Sequence, residues 1–180
     1  MFARTERLLL RPAWPEDAAA LAAALNDARV SHALERVPHP YTLADARAWV
    51  EAPRPADEAS FLIDSLEHGA PILIGGIAII GGPVDPRIGY WLSRNHWGRG
   101  YATEAGRAII DMARHALPIT RLSARHFADN PASGRVLRKL GFRPTGDAGQ
   151  THSAARGEST AAVGYTLDLD DDRSPLPIAA

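Results

Sequence analysis

The chain contains no cysteine. That absence removes thiolate nucleophiles, Cys-containing zinc sites and disulfides together, and it fits a reducing compartment. Any acyl transfer by this protein must proceed without a cysteinyl acyl-enzyme. Lysine is nearly missing too, since Lys139 is the only one among 20 basic residues. Neither sign of charge is in excess: 21 acidic side chains leave a formal net charge of −1. No summed field draws the protein onto a nucleic-acid backbone or an anionic membrane, so neither partner is expected. Long hydrophobic runs are also lacking. The longest, 72–80, is broken by Gly75-Gly76 and falls short of the ~20 residues a spanning helix needs. Leu8-Leu9-Leu10 is too short for a signal-peptide core, so the N-terminus is expected to stay on a mature, cytoplasmic protein. The seven histidines form no His-Glu-x-x-His run or other ligand spacing, and no metal is expected. Trp14, Trp49, Trp91 and Trp97 lack the basic groove of a base-stacking platform and read as core or pocket-wall residues.

What is present suffices for one core. With 46% hydrophobic residues among 180, one α/β domain is expected over 1–169, with the Asp- and Pro-rich tail 170–180 frayed. Glu6–Arg11 reads as a strand, followed by a helix that Pro15-Glu16-Asp17 opens and that ends near Asn26. Thr42 caps a short helix to about Ala52, with Asp45 in the capping-box position. Residues 60–66 and 72–80 read as antiparallel strands joined by a turn at Glu67-His68-Gly69, and 87–92 as a further strand. Apolar residues at 102, 105, 109, 113 and 116 or 117 predict a helix, and 121–127 the next strand. Asn130-Pro131 begins a helix that buries Val136, Leu137 and Leu140 and stops at Gly141. Residues 147–160 are polar and small and read as a mobile loop, before a last strand over 161–169. No repeat is visible, which excludes solenoids and propellers.

Gly98-Arg99-Gly100 falls where a strand turns into a helix. Successive N–H groups and the helix's positive end can face an anion there, and two glycines let a phosphate approach without meeting a Cβ. Gly-Lys-Ser/Thr occurs nowhere, and Thr103 stands where a dinucleotide fingerprint needs Gly or Ala. Nucleotide hydrolysis and Rossmann hydride transfer are therefore disfavoured.

Three segments, Ile88-Gly89-Tyr90-Trp91-Leu92, Trp97-Gly98-Arg99-Gly100-Tyr101-Ala102-Thr103-Glu104-Ala105, and Asn130-Pro131-Ala132-Ser133 through Leu140-Gly141-Phe142, together resemble the GNAT superfamily of acetyltransferases. The opening Glu6-Arg7-Leu8-Leu9-Leu10-Arg11-Pro12 is similar to the Rim-type ribosomal-protein alanine N-terminal acetyltransferases. The resemblance implies one domain with a strongly twisted mixed sheet, flanked by helices. Two parallel strands, 87–92 and 121–127, would splay apart to take the pantetheine of acetyl-CoA. It further implies that Asn95, Trp97, Gly98, Arg99, Gly100, Tyr101 and Ala102 hold the pyrophosphate, chiefly through backbone. Trp91 and Leu92 would pair with the cofactor arm, which the Asn130 side chain would reach. The loop's first position, often Gln or Arg in the superfamily, is Asn95 here.

Direct transfer of acetyl to an amine needs a neutral nitrogen, an oxyanion site and a proton for the departing thiolate. By the same resemblance, Ser133 is the candidate general acid; it also reads as a residue satisfying a helix end. The carboxylate often found in such enzymes is replaced by Arg87. That leaves Asp85, Glu35, His32, His126 or a water chain as base, with His126 favoured only because histidine titrates near neutrality. The expected acceptor is a protein N-terminus or a small-molecule amine, and the expected assembly a monomer or homodimer. The same residues also fit a non-catalytic acyl-CoA-binding module.

Overall fold

The computed structural model describes residues 2–55, 58–67 and 69–170. His68, in the expected turn at 67–69, and the tail 171–180 lie outside them. The strands are β1 (Ala3–Arg4), β2 (Leu8–Arg11), β3 (Ala59–Ser65), β4 (Ile72–Ile80), β5 (Arg87–Leu92), β6 (Arg121–Phe127), β7 (Arg143–Ser153) and β8 (Glu158–Asp168). The α-helices are α1 (Ala18–Leu25), α2 (Ala28–Ser31), α3 (Leu43–Glu51), α4 (Tyr101–Ala116) and α5 (Pro131–Lys139). The strands form one mixed sheet in the order β1-β2-β3-β4-β5-β6-β8-β7. None of the helices described is long and apolar enough to cross a membrane.

Alternation along the strands sends side chains to two helical layers. On one face Ile63, Ile77, Ile88 and Leu122 pack with Ala105, Ile109 and Ala113 of α4 and Leu137 of α5. On the other, Leu62 and Trp91 meet Leu21 and Leu25 of α1 and Ala46 and Val50 of α3. Ile109 is fully buried, and truncating it to alanine would cost about 2–5 kcal/mol through lost burial and the cavity left behind. Local signals hold where expected. The Thr42 hydroxyl accepts the Asp45 N–H at 3.2 Å, and the Asp45 carboxylate accepts the Thr42 N–H at 2.8 Å. Gly141 ends α5 at φ +90.

Three local readings change. The first expected strand, Glu6–Arg11, is shortened to β2 and preceded by an unexpected strand β1, and Pro15–Asp17 is a 3-10 turn preceding α1. The third change matters more. Residues 147–160 are not a loop: they are most of the β7–β8 hairpin, paired from Ala148–Val163 to Ser153–Glu158. β7 is the sheet's last strand and is almost wholly exposed. Its ladder to β8 satisfies its backbone without any apolar side chain facing a core.

The register between β5 and β6 positions the site. These are the parallel neighbours of the sheet, and their pairing is confined to Arg87 opposite Ser123, where Pro86 O accepts the Ser123 N–H at 2.9 Å. Beyond that point the strands separate toward Leu92 and Phe127, and a slot opens between their C-terminal ends.

Candidate active site

Where β5 ends, Ser93 leads into a 3-10 turn, Arg94–His96, and the chain reaches α4 through Trp97-Gly98-Arg99-Gly100. The Trp97 indole N–H donates to Leu92 O at 2.8 Å, and Ser93 Oγ lies 2.7 Å from His96 Nδ1. Gly98 and Gly100 sit at φ +75 and +85, where a side chain is strained. An added Cβ would meet nothing within 4 Å at Gly98, and at Gly100 only Arg7 Nη2 at 3.6 Å. The glycines are thus demanded by backbone conformation, and the space beside them lies free of protein. The Glu104 N–H bonds Gly100 O at 3.0 Å, so the amides of Tyr101, Ala102 and Thr103 project from the helix end ahead of it. The Tyr101 side chain is buried and its hydroxyl donates to Glu67, which leaves its backbone to face the loop. Asn95 and Arg99 are exposed. Beside this end runs an open cleft of about 870 Å³ bordered by Arg7, Arg107 and Lys139. A helix N-terminus and a glycine cradle suit an anion, and the cleft beside them is lined by Arg107 and Lys139 together with Glu6 and the paired Arg7 and Glu104.

The loop is anchored by a carboxylate. Glu104 accepts from the Thr5 hydroxyl (2.6 Å), the Arg7 N–H (3.0 Å) and Arg7 Nε (2.8 Å), and Arg7 Nη2 lies 2.6 Å away. Arg7 Nη1 then reaches Arg99 O at 3.1 Å, tying β2 to the glycine loop. Burial pushes the Glu104 carboxyl up, but the hydrogen bonds from Thr5 and Arg7 outweigh it and hold the group below its ordinary range.

At the slot, the Ser93 N–H bonds back to Ile74 O at 2.8 Å while Pro86 O faces β6. Alternation along β5 therefore points the backbone of Leu92 toward β6 and that of Trp91 toward β4. The Trp91 side chain packs on the α1–α3 layer. Across the slot, Asn130 caps α5 by accepting the Ser133 N–H at 3.3 Å. Ser133 Oγ lies 2.7 Å from the hydroxyl of Tyr90, which also donates to Ser133 O at 3.1 Å. Tyr90 thus bridges β5 to the first turn of α5, and burial pushes its phenol up to about 12.

Other expected candidates stand apart from this pair. His126 Nδ1 is 2.7 Å from Phe127 O, and its Nε2 is 3.5 Å from the Tyr165 hydroxyl, so the ring is held beneath α5. Arg87 sits between Asp85 (3.0 Å) and Glu35 (3.8 Å), which occupies both candidate carboxylates in ion pairs. The His32 ring lies edge-on to His39. Among the described residues no three His, Asp or Glu side chains gather as a metal site would require. The β7–β8 hairpin turn is tied to the segments after α2 and β6. Arg156 grips Asp129 at 2.7 and 3.1 Å and donates to His32 O at 2.9 Å, while the Ala154 N–H bonds Glu35 O at 2.9 Å. Tyr90 and Glu104 lie inside the segments that carry the family resemblance but were given no role there, and Arg156 lies in none of them. Only Glu104 had a local signal, a carboxylate in a helix's first turn, and its partner Arg7 lies 97 residues away.

Comparison with known proteins bears on the family and the fold. The sequence profile of the acetyltransferase (GNAT) domain matches residues 7–143. The chain is similar to the uncharacterized N-acetyltransferase p20 of Bacillus licheniformis, with 41% identity over 59 residues; the match spans 33% of this chain and 33% of that relative's length. Among solved structures, a GNAT-family acetyltransferase from Bacillus anthracis superposes with TM-score 0.78 at 24% identity, over 94% of this chain and 99% of that one. RimL, a ribosomal L7/L12 alpha-N-protein acetyltransferase in complex with coenzyme A, superposes with TM-score 0.75 at 20% identity, over 96% and 100%. At these identities the two structures show the shared fold.

Proposed function

The chain belongs to the GNAT acetyltransferase family, and on that premise we propose that it is a cytoplasmic, acetyl-CoA-dependent N-acetyltransferase acting within a single domain, residues 1–169. The observation that carries the reading is the pairing of the glycine cradle with the Tyr90–Ser133 contact at the same slot. Acetyl-CoA supplies an activated thioester. The amides of Gly98 through Thr103 bind its pyrophosphate, and the Leu92 N–H, aimed into the slot, pairs with the pantetheine or the thioester oxygen. Asn130 fixes the first turn of α5, and its remaining lone pair is available to the cofactor arm. Ser133 holds the proton that the departing sulfur needs.

The acceptor we propose is a terminal α-amine, as in the Rim-type enzymes that residues 6–12 resemble. Among the described residues, both candidate carboxylates, Asp85 and Glu35, are ion-paired to Arg87, which favours an acceptor that needs little help to lose its proton. An α-amine titrates at about 7.7–8.0 and is partly neutral at physiological pH, whereas a lysine at about 10.4 is almost wholly charged. The test is CoA release from acetyl-CoA over peptides with free or blocked α-amines, lysine side chains, polyamines and amino sugars. Turnover with free peptide termini alone is expected. Turnover with small amines alone would transfer the reading to a small-molecule enzyme, and CoA binding without any turnover to a non-catalytic module.

Ser133→Ala should lower kcat by about 10- to 1,000-fold with CoA affinity retained, because its hydroxyl acts as the thiolate leaves. If Ser133 serves only the helix end, the substitution costs about 1 kcal/mol of stability and the rate stays intact.

A further inference from the structure

Tyr90 presents one phenolic hydrogen to two acceptors, Ser133 O at 3.1 Å and Ser133 Oγ at 2.7 Å, and the second contact can run in either direction. Two arrangements satisfy both atoms. In one, Tyr90 donates to the carbonyl and the serine hydroxyl donates to the phenolic oxygen, which holds the serine proton against β5. In the other, Tyr90 donates to Oγ, and the serine proton is free to point into the slot. We infer that Tyr90 is the positioning residue that aims the Ser133 hydroxyl at the thioester sulfur, an assignment that rests on the acetyl-transfer reading above.

The step balances without a further reagent. The acceptor nitrogen forms its bond to the acetyl carbon and the carbon–sulfur bond breaks with its electron pair going to sulfur. Ser133 gives its proton to sulfur, and the proton shed by the nitrogen, carried by water, restores it. Tyr90 keeps its own hydrogen and donates a hydrogen bond to Oγ while negative charge develops there. A phenol raised to about 12 by burial stays protonated through the working range, as a constant donor must. The placement is also built in: Tyr90 lies between Ile88 and Leu92, two positions whose side chains enter the α4–α5 layer, and its ring packs against that core. Asn130 fixes the other partner by capping the turn that carries Ser133.

Tyr90→Phe, Ser133→Ala and the double variant decide it, read by steady-state rates, thermal unfolding, and the pH titration of the bound CoA thiol followed by thiolate absorbance. Tyr90→Phe should lower kcat by about 3- to 30-fold, the range for one hydrogen bond to a developing charge. It should leave the Kd for CoA within about twofold and raise the bound thiol's pKa by roughly half to one pH unit. In the Ser133→Ala background the same change should do almost nothing to either quantity, because the hydroxyl it aims is gone. A strap between β5 and α5 without this role would lower the melting temperature and reduce kcat equally in both backgrounds, and that result overturns the inference. So does a Tyr90→Phe enzyme with parental kcat and thiol titration beside a slow Ser133→Ala enzyme, which leaves Ser133 as acid and removes Tyr90 alone. If Ser133→Ala changes neither rate nor titration, the acid reading fails and Tyr90 falls with it. A parent that does not bind CoA overturns both.

Discussion

Gly100→Val separates the two reasons for a glycine in the loop. Gly100 sits at φ +85 and ψ −1, and the nearest protein atom to an added Cβ is Arg7 Nη2 at 3.6 Å. An added Cβ makes only an ordinary contact with Arg7, so the folding penalty is chiefly that of a left-handed backbone, about 1–2 kcal/mol and toward the upper end for a β-branched residue. For a chain of 180 residues that is a fall in melting temperature of roughly 2–8 °C. The bound phosphate faces a larger loss. An isopropyl group in the cradle displaces it from one or two N–H donors, each charge-assisted bond contributing about 1.5–3 kcal/mol, so CoA should bind about 10- to 10,000-fold more weakly. Gly146 is the matched control: it sits at φ +83 in the β7–β8 hairpin, and an added Cβ there meets nothing within 4 Å. Gly146→Val should lose similar stability and keep parental CoA affinity. Calorimetric titration with CoA, alongside thermal unfolding of both variants, reads the two effects separately. Parental CoA affinity in Gly100→Val, or an equal loss in both variants, refutes the placement of the phosphate.

Two further substitutions test the supports of the site. Glu104→Gln turns an amide donor toward the Arg7 donors and should cost about 1–2 kcal/mol, discounted for partial exposure, with CoA affinity falling severalfold as Arg7 releases Arg99. The Glu104 and Asp17 carboxyls are both held below their ordinary values of 4.5 and 3.8. Their contribution is complete above those values and is lost as the pH falls through the depressed ones. Melting temperature should therefore drop on acidification below about pH 4.5, less steeply in Glu104→Gln; an identical slope in the variant would assign the acid sensitivity elsewhere. Arg156→Ala should free the hairpin turn from Asp129 and His32 and raise KM for peptide acceptors several-fold while the Kd for CoA holds. Unchanged acceptor kinetics would show that the hairpin turn does not border the acceptor.

The parts legible in the sequence were those that solve their own physics locally. Thr42 and Asp45 cap a helix three residues apart, Asn130-Pro131 opens another, and the apolar stripe at 102, 105, 109 and 113 is buried along one face of α4. β7 carried no such signal. Arg143 to Ser153 pairs with β8 through its backbone while its side chains face solvent, so neither alternation nor apolar content marks it. Tyr90 was legible only as part of the Ile88–Leu92 segment, because its hydroxyl's partner lies 43 residues away and nothing local announces the contact. Arg87 was legible as a missing carboxylate, but its capture of both Glu35 and Asp85 depends on the α2 segment meeting the start of β5, a contact that only the tertiary structure creates.

The narrow parallel contact at Arg87 and Ser123 also divides the folding problem. On one side lie β1 to β5, from residues 3–92; on the other β6, β7 and β8, from 121–168. Each block pairs its strands mostly with near neighbours in the chain, so most loop-closure entropy is lost within a block. α4 is the hinge of assembly, with a buried stripe that packs on the first block and Gly106 seated against Leu140 at the end of α5 in the second. The seam has little backbone pairing, so the two blocks are joined chiefly by one continuous apolar cluster, and the backbone left unpaired beyond Arg87 and Ser123 is what the slot exposes.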